Sequence, residues 1–200
     1  MTNAIQPNHE RYPVVVPGER IYLSVVRSDD AEQYASWFHD LQLTAYLGMI
    51  GMAYSLEQEQ DWASRVVHQF DNKTFAIIVR EEKRLIGSVS LMEINHRHGH
   101  ATLGIAIGDK SAWGRGYGSE SVRLMCDYGF TFLNLYHIRL WHLGFNDRGH
   151  HAYLKAGFRE AGRLRGALAF NGKRYDDVLM EITRDDFGPS SLAESLGLSG

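Results

Sequence analysis

Ile105-Ala106-Ile107-Gly108-Asp109-Lys110-Ser111-Ala112-Trp113-Gly114-Arg115-Gly116-Tyr117-Gly118-Ser119-Glu120 runs from an apolar strand-like stretch, through three glycines at alternate positions, into a helical pattern. Glycine lets backbone approach a ligand closely and adopt positive φ. The first turn of a helix offers unpaired N–H groups and the positive end of the helix dipole. A strand, a glycine-spaced loop and a helix in that order therefore make a site for phosphate.

Three phosphate-binding loops fit this outline to different degrees. A Walker loop ends in Gly-Lys-Ser/Thr, and Gly118-Ser119-Glu120 has no lysine there. A dinucleotide fingerprint could be laid over Gly114, Gly116 and Ser119, but it turns directly from strand into helix. It also wants an acid at the end of the next strand, where Arg139-Leu140-Trp141 supplies none. The third is a diphosphate clamp for coenzyme A. An ordinary tight connection is also compatible with the glycines alone.

Working outward, the helix after the loop is expected over 119–133, where Val122, Met125, Cys126, Gly129 and Leu133 recur at helical spacing. A strand over 137–143 and a helix over 148–156 follow. Two strands then flank Asn171-Gly172, the dipeptide best suited to a hairpin turn with two positive φ angles. Upstream, strands are expected at 21–25, 74–79, 85–94 and 101–107. A first helix begins near Ser28-Asp29-Asp30 and continues through Trp37. Ser55 with Gln58 opens a second, through Phe70. This alternation predicts an α/β protein with one mixed sheet and helices on its faces.

A second constellation follows the loop. Asn146 and Tyr153 are seven residues apart, which is two helical turns, so they can share one side of a helix. Gly157 is placed to end that helix and Phe158 to start the next strand. Read alone, Asn146 is a helix cap and Tyr153 a core aromatic.

The 200 residues, 44% hydrophobic, suffice for one domain with a real core. A net charge of −3 carries no footprint for nucleic acid. No apolar run approaches the ~20 residues that span a bilayer. With the single cysteine Cys126 and a polar N-terminus, the expectation is a soluble cytoplasmic protein with no membrane partner. Residues 1–18, rich in proline, read as an extended arm; 19–187 as the domain; and 188–200 as a flexible tail, although Leu192, Leu196 and Leu198 could dock.

Taken together, these segments resemble the GCN5-related N-acetyltransferase (GNAT) superfamily, in the branch of ribosomal-protein-alanine and bacterial spermidine acetyltransferases. The resemblance is carried by the glycine loop and by four segments. These are Glu93-Ile94-Asn95-His96, Asp127-Tyr128-Gly129-Phe130-Thr131, Leu133-Asn134-Leu135-Tyr136 and Tyr153-Leu154-Lys155-Ala156-Gly157-Phe158. It implies a single domain with a mostly antiparallel mixed sheet of about seven strands, helices on both faces and splayed central strands. It further implies acetyl-CoA as cosubstrate, a primary amine as acceptor (a protein N-terminus, a polyamine or another small amine) and direct attack through a tetrahedral intermediate.

By the same resemblance, Ile105, Ala106 and Ile107 present backbone groups to the pantetheine arm. Main-chain N–H groups from about Arg115 to Ser119, through Gly116, Tyr117 and Gly118, hold the diphosphate, and Trp113 and Gly114 of the same loop also bind the cofactor. Asn146 bonds the pantetheine amide, and Tyr153 sits beside the sulfur as the acid for the leaving thiolate. A phenol near pKa 10 matches a thiol near 8.5–10. Stripping a proton from an alkylamine at pH 7 costs about 4–5 kcal/mol, so a base is useful, and Glu93 is the candidate. The free N–H of Ile105 or Ala106 is the natural oxyanion donor.

Two departures stand out. Trp113 occupies a position where the superfamily often has Gln or Arg, and Thr102 stands where related alanine acetyltransferases commonly carry glutamate. Polyamine-lining acids are not recognisable between Asp40 and Asp61. A non-catalytic acyl-CoA-binding regulator on the same fold is the alternative, and a homodimer a reasonable expectation. No metal is expected: His96, His98 and His100 read as a polar hairpin tip, and His150-His151 as helix surface. His137 and His142 could line the acceptor side. Glu57, Glu59 and Asp61 complement a helix dipole or attract a cationic substrate. Met49, Ile50, Met52 and Tyr54 form an adaptable apolar wall or simply core. Cys126, mid-helix on the apolar stripe, reads as a small hydrophobe rather than a nucleophile.

Overall fold

A computed structural model describes residues 11–49, 52, 54–66 and 71–197. Eight strands form one sheet: β1 (Val16–Pro17), β2 (Ile21–Val25), β3 (Lys73–Val79), β4 (Arg84–Asn95), β5 (His100–Ile107), β6 (His137–Leu143), β7 (Arg159–Phe170) and β8 (Lys173–Thr183), in the order β1-β2-β3-β4-β5-β6-β8-β7. The strand beyond the expected seven is the two-residue β1, formed where the arm pairs Val16 with Leu23. The hairpin turn has φ 49° at Asn171 and 71° at Gly172, as that dipeptide predicts.

The helices are α1 (Ala31–Phe38), α2 (Leu41–Tyr46), α3 (Leu56–Val66), α4 (Tyr117–Phe132), α5 (Asp147–Ala156), α6 (Arg184–Phe187) and α7 (Ser191–Ser195). Ser55 and Gln58 make the reciprocal bonds of a capping box at α3, Ser55 N–H to Gln58 Oε1 at 2.8 Å and Gln58 N–H to Ser55 Oγ at 3.3 Å. The expected continuation to Phe70, and Ile50 in the apolar wall, lie outside the described residues. Sequence reading does not anticipate α2: Asp40 caps it by accepting the N–H groups of Gln42 and Leu43.

Every strand pair is antiparallel except β5–β6, which is parallel and joined only at His100–His137, Ala101–Ile138 and Thr102–Arg139. Beyond Thr102 the two strands part, while β6 stays paired to β8 up to Leu143–Asp177. A bulge in β4 between Met92 and Asn95, with Glu93 at φ 53°, lies opposite the point of parting. A bulge increases local twist, which turns the β4–β5 ribbon away from β6.

One face of the sheet is covered by α4, whose Val122, Met125 and Cys126 are fully buried. Gly129 brings that helix so close that a Cβ would stand 2.8 Å from Leu91 Cδ1. The opposite face packs Tyr22, Ala76 and Ile78 against Tyr34 of α1 and Ala63 of α3. Helices thus cover both faces.

Residues 188–197, expected as a flexible tail, are docked onto α4. The buried Asp127 carboxylate accepts from the Ser190 and Ser191 hydroxyls and from Leu192 N–H at 3.1 Å, and Leu192 is buried. Leu196 stays exposed, and Leu198 lies outside the described residues. Removing a carboxylate that satisfies four donors, the Thr131 hydroxyl included, strands them near the core. Asp127→Ala is therefore expected to lower unfolding free energy by about 2 kcal/mol, as measured by urea titration with fluorescence detection.

Candidate active site

The parted strands open a cavity of about 780 Å³ that runs from α2 through the sheet to the start of α4. Its backbone edge follows from the ladder. Gly108 N–H donates to Ile86 O at 2.9 Å, so the hydrogen-bonded β4–β5 pairs are Ile86–Gly108, Ser88–Ala106 and Ser90–Gly104. Ala106 therefore spends its N–H and C=O on β4, against the expectation that it could donate into the cavity. Alternation turns those of Leu103, Ile105 and Ile107 toward the seam. The Ile107 carbonyl is met there by the Trp113 indole N–H at 2.7 Å. The Ile105 N–H faces the same seam.

The loop bends on Gly114 at φ 72° and Gly116 at φ 81°. Gly116 is the N-cap of α4 and has no side chain to offer the first turn, which leaves the N–H groups of Tyr117, Gly118 and Ser119 without a capping partner. A Cβ on Gly114 would meet nothing within 4 Å, so its backbone faces open space. Trp113, Gly114, Arg115, Gly116, Gly118 and Ser119 line the cavity. Tyr117 is buried, with the guanidinium of Arg115 5.2 Å from its ring centre, and contributes backbone only.

Arg20, which sequence reading missed and which also lines the cavity, braces this loop. Its guanidinium donates to the Arg115 carbonyl at 2.9 Å and the Gly116 carbonyl at 3.4 Å, and pairs with Glu120 at 3.0 Å. Glu120 in turn accepts the backbone N–H groups of Arg20 and Ile21. No local motif marks Arg20, since its partners lie about a hundred positions away in the chain.

Asn146 caps α5 by accepting Gly149 N–H at 2.9 Å and donates weakly to Tyr46 O at 3.4 Å. Its structural role is thus filled, while its side chain also borders the cavity. Tyr153 is buried against His142 and Phe158. Its hydroxyl makes no hydrogen bond among the described residues, although the residue lines the cavity. Burial pushes its pKa up to about 12, well above the value near 10 that would match a thiol. The phenol is a weaker acid than expected and remains protonated throughout the neutral range.

Glu93 does not line the cavity. Its side chain is 70% exposed, accepts the Thr102 hydroxyl at 2.9 Å and lies 3.5 Å from the Arg139 guanidinium. It reaches the wall only through Thr102. Glu59 is buried beneath α3, which holds its carboxyl above the usual range, and none of Glu57, Glu59 and Asp61 lines the cavity.

His142 does line the cavity. Desolvation lowers its pKa, and its ring bonds the Leu143 carbonyl and His150. His137 is instead paired with Glu181 at 2.9 Å. Arg148 crosses the cavity from α5, its guanidinium carbon 3.5 Å from the centre of the Trp113 ring and 4.9 Å from that of Tyr46. Burial drives the Cys126 thiol far above its ordinary pKa, which makes it inert. Among the described residues no three His, Cys, Asp or Glu side chains are grouped to hold a metal, and no helix is long and apolar enough to cross a membrane.

Residues 20–159 match the acetyltransferase (GNAT) domain family. An uncharacterized N-acetyltransferase, p20, of Bacillus licheniformis is 26% identical over 172 residues, spanning 84% of this chain and 96% of that protein. The spermidine N(1)-acetyltransferase of Escherichia coli K12 is 32% identical over 127 residues, covering 64% of this chain and 67% of the enzyme. Among solved structures, the spermidine N-acetyltransferase from Vibrio cholerae in complex with CoA and spermine superposes with a TM-score of 0.76. It shares 26% identity, over 84% of this chain and 98% of that one.

Gly116→Val would force a β-branched residue to φ 81° and push its Cβ to about 3.1 Å from the Arg20 guanidinium. Calorimetry is expected to show no acetyl-CoA binding by this variant. Arg20→Ala, which frees the loop carbonyls but leaves every loop N–H in place, is expected to weaken binding by about tenfold, equivalent to one charge-assisted hydrogen bond.

Proposed function

The chain belongs to the acetyltransferase (GNAT) family, and we propose on that premise that it carries an acetyl group from acetyl-coenzyme A directly to a primary amine. One observation carries the reading. The unpaired backbone edge of β5 and the uncapped amides at the start of α4 line or border a single cavity. An extended arm ending in a diphosphate fits such an edge, with hydrogen bonds along the strand and phosphate at the helix terminus. When bound, the cosubstrate supplies an acetyl group already activated as a thioester.

This chain's residues then divide the work. The N–H groups from Arg115 to Ser119 hold the diphosphate, and Arg20 keeps them aimed. Ile105 and Ile107 offer strand-edge groups to the pantetheine, with Trp113 already engaging the Ile107 carbonyl. Asn146 borders the same run. The Ile105 N–H donates to the negative charge that develops on the acetyl oxygen. Tyr153, with its hydroxyl left to the cavity, donates a proton to the departing sulfur. A base for the amine is not supplied directly by Glu93, whose carboxylate acts on the wall through Thr102.

Relatives named for spermidine make a polyamine one candidate acceptor, and the resemblance read from the sequence makes protein N-termini another. The direct test follows thiol release from acetyl-CoA with spermidine, N-terminal peptides and aminoglycosides as acceptors. Acetyl-CoA binding without thiol release for any amine would favour the non-catalytic regulator.

Tyr153→Phe is expected to lower kcat by about 10²-fold while leaving the acetyl-CoA dissociation constant within a few-fold of wild type. The active form of Tyr153 is the protonated one, and its pKa is raised by burial to about 12. Activity attributable to this group should therefore persist through pH 10 and be lost only as pH rises toward 12, as read from kcat against pH.

A further inference from the structure

Strand register divides the cavity into two halves. Ser88, Ser90 and Met92 of β4 pair with Ala106, Gly104 and Thr102 of β5, so these six residues share one face of the sheet. Val89, Leu91 and Leu103 point to the other face and belong to the core beneath α4. On β6, Thr102 pairs with Arg139, so alternation places Trp141 and Leu143 on the first face and Leu140 and His142 on the second. The first face is roofed by α1 and α2, which contribute Phe38, Leu43, Tyr46, Leu47 and Met49 to the cavity. This is the face opposite α4, where Trp113 of the loop meets Tyr46, and it is the half left for an acceptor.

The chemistry of that half is uniform. Its walls are aliphatic and aromatic, and its uncharged polar groups include the hydroxyls of Ser88, Ser90, Thr102 and Tyr46. Among the described residues, no carboxylate lines the cavity in either half. The charged lining groups are Arg20, Arg115, Arg148 and Lys155, all cations.

The one cation among them with a ring contact to α2 is Arg148, which lies against Tyr46 and has no acidic partner among the described residues. Glu93, behind Thr102, already faces Arg139. Asp40 is taken by Lys110 and by the first turn of α2.

Each ammonium group that leaves water needs a carboxylate or a set of acceptors to replace its hydration. A polyamine brings two or more ammonium groups besides the one that reacts, and this half offers them apolar walls and a guanidinium of the same sign. An amine whose remaining bulk is apolar meets the opposite situation. It buries that bulk against Phe38, Tyr46, Leu47 and Trp141 and needs only its reacting nitrogen at the seam.

We infer that the acceptor is a primary monoamine carried on an apolar body of about aromatic size, and that the site selects against polyamines. This rests on the acetyl transfer proposed above and names its substrate class.

The experiment compares 2-phenylethylamine and tryptamine with spermidine as acceptors, by kcat/KM for thiol release from acetyl-CoA, with acetyl-CoA binding measured separately by calorimetry. The expected result is a preference of about tenfold or more for the arylalkylamines, the scale on which an apolar pocket discriminates. Met92→Glu, which places a carboxylate in the partly exposed wall, should shift that preference toward spermidine by about tenfold, with calorimetry confirming that the variant still binds acetyl-CoA. Spermidine matching or exceeding the arylalkylamines with the wild-type protein would overturn the inference. So would acetyl-CoA binding accompanied by no arylalkylamine turnover. Failure to bind acetyl-CoA at all would instead remove the acetyl-transfer reading on which it stands.

Discussion

The structure depends on a ladder that stops. After Thr102 and Arg139, β5 and β6 no longer pair, and the Leu103 carbonyl and the backbone groups of Ile105 and Ile107 on one side face a gap. Buried backbone donors and acceptors are almost always satisfied, so a gap of this kind has to be filled by something that can hydrogen-bond like a strand. The protein fills only its end, with the Trp113 indole on the Ile107 carbonyl. The β4 bulge that turns one ribbon away, the glycines that bend the loop at its exit and the uncapped helix beyond it all serve the same opening.

Much of this was readable from residues. The strand-to-glycine-loop-to-helix passage, the helical stripe of α4 and the Asn171-Gly172 hairpin each rest on local chemistry, and each stands where its pattern puts it. Other features were hidden because they depend on partners far away in the chain. Arg20 looks like any surface arginine until the β2 terminus is set against the loop carbonyls. The tail looks soluble and loose until Asp127 gathers its serines. Ala106 and Ile105 cannot be told apart by type, because only the phase of the β4 ladder decides which amide faces inward.

Residue type misled most where burial decides chemistry. Tyr153 is a phenol in the sequence and a strongly desolvated phenol in the fold, so its pKa moves away from the thiol it was matched to. Glu93 is correctly a carboxylate near the seam, yet the positive φ of its bulge leaves its side chain largely in solvent, shared between Thr102 and Arg139. Both cases concern the environment of a group rather than its identity, which a linear pattern does not encode.

Gly129 has a reach that its position conceals. It sits on the inner side of α4, in near contact with Leu91 and Ile138, about 16 Å along the helix from Gly118 at 1.5 Å per residue. A helix seated that deeply near its C-terminal end behaves as a lever: raising that end by one methyl group would pitch the other. The grip on a nucleotide tail could thus be tuned from the core, by a residue that never meets the ligand and that a survey of the binding surface would pass over.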